Sequence, residues 1–428
     1  MIDRRGFLTG AALPAAGLLF DPSKIASALS VLTAPDDRSP DVVATDEAFW
    51  RPVQDAFPVD RSFVNLNNGG VCPAPAIVLD AMARHVAFSN HAPSYTMWRV
   101  LQPRRKHVRR ALADHWGVSV DEIAITRNAS EALQTLQFGF DLAPGDEVVT
   151  TTQDYPRMIN AFRQREQRQG IVLKQFDIPV PAEDDDEIVR LFEEQITERT
   201  KLILMCHMIN LTGQVLPVAK VVAMARRHGV PVIIDGAHAF AHMPFTLREL
   251  DCDYYATSLH KWLNAPIGTG MLYVRKELIA DVWPLMAAPD AHADDITKFE
   301  QVGTYPEANG LAVAEALTFH QAIGDQRKYA RLLALRDRWA LPLRAHDRVR
   351  LHTSLKPGFA GGIANIQIEG IDSGKLQSWL WRERGLWTTS IRHAQFEGLR
   401  VSAGVYTTLD EVDRFVEAME HAAEHGIA

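Results

Sequence analysis

A lysine and an aspartate in this chain each follow a run of residues that reads as a buried strand. Asp235 follows the apolar run in Val232-Ile233-Ile234-Asp235-Gly236-Ala237-His238, and Lys261 lies twenty-six residues later in Ser258-Leu259-His260-Lys261-Trp262. A lysine amine can bond an aldehyde covalently. A carboxylate at the other end of a heteroaromatic ring can keep the ring nitrogen protonated, so that the ring draws electrons from a substrate α-carbon. Either residue alone has a plainer reading, as a surface charge or a polar strand end. Together, past consecutive strands, they describe a ligand site, because open α/β sheets bind ligands beyond the carboxyl ends of their strands. Asn128-Ala129-Ser130 sits between a further strand and an apparent helix, where free backbone N–H groups and the helix dipole favour an anion such as phosphate.

The elements that must position these groups alternate between strand and helix from about 122 to 275. Strand signals fall at Glu122–Thr126, Glu147–Thr152, Val172–Ile178, Lys201–Met205, Val230–Ile234, Asp253–Thr257 and Gly270–Val274. Leu202-Ile203-Leu204-Met205 and Val230 to Ile234 are continuously apolar, the pattern of strands covered by helices on both faces, so the sheet is expected to be mostly parallel. Beyond 311 come two long helical stretches, a strand at Ile363–Ile368 and a terminal helix from about Leu409 to Glu424. The expected organisation is an N-terminal arm over 46–70, a large domain over 71–310 with a seven-stranded sheet, and a smaller C-terminal α/β domain over 311–428.

The 428 residues, 47% hydrophobic and 23% charged, have the composition of an ordinary globular protein with room for a large core. A formal charge of −8 opposes a phosphate backbone and gives no support to nucleic-acid binding. Arg4-Arg5-Gly6-Phe7-Leu8 precedes an uncharged stretch to Phe20 that is too short to span a bilayer. Residues 1–30 therefore read as a twin-arginine export signal, with Ala26-Ser27-Ala28 as the cleavage site, a mature chain starting near Val31, a periplasmic destination and no lasting membrane insertion. Cys72, Cys206 and Cys252 are far apart and read as buried thiols. The cluster Arg104, Arg105, Lys106, Arg109 and Arg110 and the acidic run Glu183 to Glu187 read as solvated faces. No metal site is expected.

With these pieces in order, the chain resembles the class V aminotransferases of the fold-type I enzymes that use pyridoxal 5′-phosphate (PLP). Within them it is similar to the isopenicillin-N epimerase-like and cysteine desulfurase-like branches. The most specific segment is Ser258-Leu259-His260-Lys261-Trp262-Leu263-Asn264-Ala265-Pro266-Ile267-Gly268-Thr269-Gly270, which looks like the family's lysine signature. Asn65-Leu66-Asn67-Asn68-Gly69-Gly70, Thr126-Arg127-Asn128-Ala129-Ser130-Glu131-Ala132 and Asn210-Leu211-Thr212-Gly213 follow the family's order. The resemblance implies that Lys261 carries PLP covalently, that Asp235 pairs with its ring nitrogen, and that Ala129, Ser130, Ser258 and His260 hold its phosphate. It also implies that Tyr155 stacks on the ring, that Asn210 and His238 bond the ring hydroxyl, and that Gly303-Thr304 reaches the phosphate from a neighbouring subunit of a homodimer. Leu399-Arg400-Val401-Ser402 matches the late arginine motif, which makes Arg400 the anchor for the carboxylate of an amino-acid substrate, with Asn67 beside it. Arg392 and His393 are close enough in sequence to line the same pocket.

The reaction is less constrained, because a PLP site permits transamination, epimerisation, elimination or desulfuration. Cysteine desulfurases carry a cysteine shortly before the late arginine, whereas Gly385 to Gly398 contains none. Tyr155 stands where those enzymes place a histidine, and a phenol is a poor base at neutral pH. Aminotransfer or epimerisation is therefore the expected activity. A C–S or β-elimination lyase is the alternative. A PLP-holding protein without turnover is a third reading, weakened by the lack of a basic DNA-binding segment before residue 60. Tyr95, Trp98 and Tyr305 are candidates to line the substrate pocket.

Overall fold

The computed structural model describes residues 37–427. The expected export signal lies outside the described residues. Among the described residues, thirteen strands carry the architecture. They are β1 (Val64–Asn65), β2 (Ile123–Thr126), β3 (Glu147–Thr151), β4 (Val172–Phe176), β5 (Thr200–Cys206), β6 (Val232–Asp235), β7 (Tyr254–Ser258), β8 (Gly270–Val274), β9 (Val349–Leu351), β10 (Ile363–Ile368), β11 (Leu386–Trp387), β12 (Thr389–Arg392) and β13 (Glu397–Ser402).

Strands β2 to β8 form one seven-stranded sheet in the order β2-β8-β7-β6-β5-β3-β4. β8 runs antiparallel to both neighbours, and the remaining pairs are parallel. Each expected strand is present, with ends displaced by one or two residues. Every residue of β3, β6, β7 and β8 is buried, as the apolar runs require. Helices on the two faces, among them Ala129–Gly139, Pro156–Gln169 and Val218–Arg227, supply separate apolar clusters against the sheet.

The second sheet has the order β12-β13-β10-β9 and is antiparallel throughout. It packs with the helices Asp325–Leu343 and Leu409–His425 around Leu335, Trp339, Phe415 and Met419. β10 was anticipated; β9, β11, β12 and β13 were not. Only two of the six residues of β13, Leu399 and Val401, carry apolar side chains in alternation, and Gly398 interrupts the strand pattern. β1 pairs in parallel with β11 in a separate two-stranded sheet, and a bridge between Asn67 and Ser402 joins the segment after β1 to β13. The helix Val313–Ile323 contributes Val313, Ala316 and Leu317 to the apolar cluster of the large sheet.

The basic cluster over 104–110 departs from expectation at two of its five positions, while Arg104, Lys106 and Arg110 are exposed as a solvated face would be. Arg105 and Arg109 are buried in the helix Arg105–Trp116. Arg105 forms a fork with Glu307, Nε to Oε2 at 2.5 Å and Nη2 to Oε1 at 2.8 Å, and Arg109 lies 3.8 Å from Glu300. A guanidinium turned inward can be buried when a carboxylate meets it bidentately, and Glu300 and Glu307 are remote in sequence.

Candidate active site

Asp235 and Cys206 lie side by side at the carboxyl ends of β6 and β5, with Ala256 of β7 next to Asp235. Beyond those ends opens a cavity of about 450 Å³. Its walls include Ala129, Ser130, Tyr155, Asn210, Asp235, His238, Ser258, His260, Lys261 and Arg400, ten of the residues singled out from sequence.

The anion cradle is the amino end of the helix Ala129–Gly139. Asn128 caps it by accepting from the Glu131 N–H at 2.8 Å, and Ser258 Oγ accepts from the Ala129 N–H at 2.9 Å. This joins the last residue of β7 to the first turn of the helix. Gly270, at the start of β8, permits the approach: a Cβ there would lie 2.6 Å from the Asn128 backbone. His260 Nδ1 donates to the Thr269 carbonyl at 2.9 Å, which leaves Nε2 for the cavity.

Lys261 Nζ stands 3.0 Å from His238 Nε2. Desolvation pulls the lysine down to about 8, with Asp235 opposing the shift and Arg400 adding to it. Asp235, 5% exposed, is pushed up to about 6 by desolvation, against the pull of the Ala237 N–H, 3.0 Å from Oδ1, and of Lys261. His238 is held well below its ordinary range by burial and by the cations Lys261 and Arg400, so its ring is neutral.

Arg400 reaches the cavity from the second sheet, where β13 runs between β10 and β12. Nη1 donates to the Asn210 carbonyl at 3.1 Å and Nη2 to Asn67 Oδ1 at 2.7 Å. Asn67 is not in the cavity wall but aims the guanidinium. Three buried polar atoms here have no protein partner: Asn210 Oδ1, His238 Nδ1 and Arg400 Nε. A ligand with its own donors, acceptors and an anionic group answers them.

Several expectations do not meet at this site. Arg392 is exposed and paired with Asp372 at 2.5 Å. His393 bonds the Thr152 carbonyl at 3.0 Å, away from the cavity. Tyr95 and Trp98 are 64% and 50% exposed, and neither they nor Tyr305 line the cavity. Thr304 is exposed and outside the cavity of its own chain. Cys206, by contrast, lies in the cavity wall beside Asp235, and Gly69, Gly70, Ile267 and Gly268 line it as well. Sequence reasoning passed over Cys206; its place at the end of an apolar strand next to Asp235 was the available signal.

A seven-stranded α/β sheet that gathers a lysine, a carboxylate, an anion-binding helix end and a guanidinium beyond its strand ends defines an enzyme of the fold-type I architecture. The aminotransferase class-V family profile matches residues 64–415, and the chain belongs to that family. It is 28% identical over 394 residues to isopenicillin N epimerase of Amycolatopsis lactamdurans, covering 88% of this chain and 99% of that one. It is 28% identical over 392 residues to a probable cysteine desulfurase of Halobacterium salinarum, covering 85% and 92%. Among solved structures, the apo cysteine desulfurase of Thermococcus onnurineus superposes with a TM-score of 0.77 at 21% identity, over 87% of this chain and 98% of that one.

Proposed function

We propose that this protein is a PLP-dependent enzyme acting at the α-carbon of an amino-acid substrate, by aminotransfer or by epimerisation. The observation that carries the reading is the convergence in one cavity of Asp235 from the end of β6, Lys261 from the turn after β7 and Arg400 from within β13. The unpartnered Asn210 Oδ1 and His238 Nδ1 and the helix end at Ala129 fit the ring hydroxyl and the phosphate of PLP.

PLP, when bound, supplies an aldehyde for the substrate amine and an electron-withdrawing ring that acidifies the α-C–H bond. Asp235 holds a proton at the ring nitrogen. Arg400 grips the α-carboxylate and orients the α-C–H bond. Lys261, with its basicity drawn toward neutrality, would take the α-proton as general base; aminotransfer would require that proton to be delivered to a different carbon, and epimerisation would require delivery to the α-carbon from the opposite face. Tyr155, 36% exposed in the cavity wall, would stack on the ring. The β12–β13 turn supports aminotransfer or epimerisation over the cysteine-dependent route. It has no thiol, and it is pinned through His393 to Thr152 and through Gln395 Nε2 to the Ile178 carbonyl at 2.9 Å.

In the same reading a second subunit brings Gly303-Thr304 to the phosphate, and the chain is exported through the Arg4-Arg5 signal. Light scattering of the uncleaved 428-residue chain then gives twice its 47.7 kDa mass. A reporter fused to residues 1–35 leaves the cytoplasm, and a reporter retained there removes the export proposal. The decisive assay is a product panel over amino acids of both configurations with the PLP-loaded protein. A keto acid with aminated cofactor, or an inverted stereocentre, supports the proposal, and Lys261→Ala abolishes α-hydrogen exchange. Pyruvate with released thiol transfers the assignment to a lyase; no product and no exchange with any amino acid refutes it.

A further inference from the structure

The turn that presents Lys261 is held from behind by a second buried lysine. Lys328, 2% exposed, lies in the first turn of the helix Asp325–Leu343. Its ammonium donates to the Trp262 carbonyl, the next residue after Lys261, and lies 3.4 Å from Asn264 Oδ1 and 3.3 Å from His320 Nδ1. The turn itself is closed by Asn264 N–H to the Lys261 carbonyl at 3.0 Å and Ala265 N–H to the Leu259 carbonyl at 3.1 Å. Asn264 adopts φ +59°, in the left-handed region that asparagine tolerates better than most residues, and its Nδ2 donates to the Pro73 carbonyl at 3.0 Å. Lys328 and Pro73 thus grip the turn from two sides.

A buried ammonium without a carboxylate in contact is costly. Here the countercharge arrives through an imidazole. His320, 2% exposed, places Nε2 2.6 Å from Asp325 Oδ1, and His115 Nε2 approaches the same oxygen at 3.4 Å. Because Lys328 donates at Nδ1, the ring hydrogen of His320 belongs on Nε2, where the carboxylate accepts it. His115, His320 and Asp325 have the composition of a metal site, but that same hydrogen occupies the nitrogen a metal would need. The other titratable groups that feel Lys328 are Cys72 and His242.

We propose that Lys328 is a positioning residue for Lys261, and that Asp325, acting through His320, keeps its ammonium charged so that the turn stays fixed against the cavity. The proposal rests on Lys261 being the cofactor lysine. Two measurements on the full chain test it. In the cofactor-free protein, hydrogen exchange followed by mass spectrometry over residues 259–265 accelerates tenfold or more in Lys328→Met and in Asp325→Asn. In the PLP-loaded protein, kcat falls tenfold or more in Lys328→Met and threefold or more in Asp325→Asn, with KM within twofold and weakened visible circular dichroism of the bound cofactor. Asp325→Glu restores at least half of the loss. Where Lys328→Met does not fold, Asp325→Asn decides alone. Unchanged exchange together with unchanged kcat in a folded Asp325→Asn protein overturns the relay. A parent protein that takes up no PLP overturns the functional reading instead, and the exchange result still decides the relay.

Discussion

Replacing Arg400 by lysine keeps a positive charge and removes the planar fork. Two of the five guanidinium N–H groups are committed, to Asn210 O and Asn67 Oδ1, while Nε is unpartnered. A substrate carboxylate held by two of the remaining hydrogens gains two charge-assisted bonds of about 1.5–3 kcal/mol each, and an ammonium can keep one. The loss for Arg400→Lys is therefore about 2 kcal/mol, or roughly 30-fold in kcat/KM. Arg400→Gln forfeits both bonds, about 4 kcal/mol and on the order of a thousandfold. The assay is initial-rate kinetics on the amino acid identified by the product panel, with PLP affinity measured separately by fluorescence. The expected pattern is a raised KM, and cofactor affinity within threefold of the parent. Each variant also frees the Asn210 carbonyl and Asn67 Oδ1 from their donor, so thermal stability is followed as a control. Should both folded variants keep kcat/KM within threefold of the parent, or lose it in step with PLP affinity, Arg400 is not the carboxylate anchor.

Asp235→Asn removes a carboxyl whose folded value, about 6, exceeds the ordinary value of about 3.9. The folded state then binds the proton more tightly, so stability from this group is present below about 4 and lost as pH rises through 6. Cofactor-free Asp235→Asn should be more stable to urea by up to about 3 kcal/mol at pH 7.5, with no gain at pH 3.5, while turnover drops; equal gains at both pH values refute the burial argument. Lys261, drawn down to about 8, should capture PLP at a rate that rises with pH and levels off above about 8, and a rate still climbing tenfold per unit at pH 9.5 contradicts the shift. Gly270→Ala drives a Cβ to within 2.6 Å of the Asn128 backbone, so a stability loss of about 3 kcal/mol and weaker phosphate retention are expected from denaturation and PLP titration. Arg105→Met strands Glu307 in the interior, while Glu300 keeps Arg109, at a cost of about 3–5 kcal/mol, read from urea unfolding at pH 7.

The central sheet was legible because its strands announce themselves locally. A run such as Leu202 to Met205 is apolar on both faces, and apolar periodicity needs no knowledge of the partner strand. β12 and β13 were not legible: Thr389–Arg392 and Glu397–Ser402 are short and mixed in character, and pairing of β13 with β10 and of β12 with β13 makes them strands. The solvated reading of Arg105 and Arg109 failed for a related reason. A charge cluster on one helix is indistinguishable from a surface face until Glu300 and Glu307 are brought to it.

By itself the sequence determined the class of the fold, the lysine–aspartate pair at consecutive strand ends and the family to which the chain belongs. Those features are encoded in short contiguous segments whose chemistry does not depend on the rest of the chain. Only the tertiary structure decided that Arg400 turns into the cavity while Arg392 turns out to Asp372, that Cys206 stands beside Asp235, and that Lys328 braces the Lys261 turn. Each of these is a contact between residues far apart in sequence, and which buried polar group finds which partner is settled by packing, where desolvation makes an unpaired charge too costly to keep.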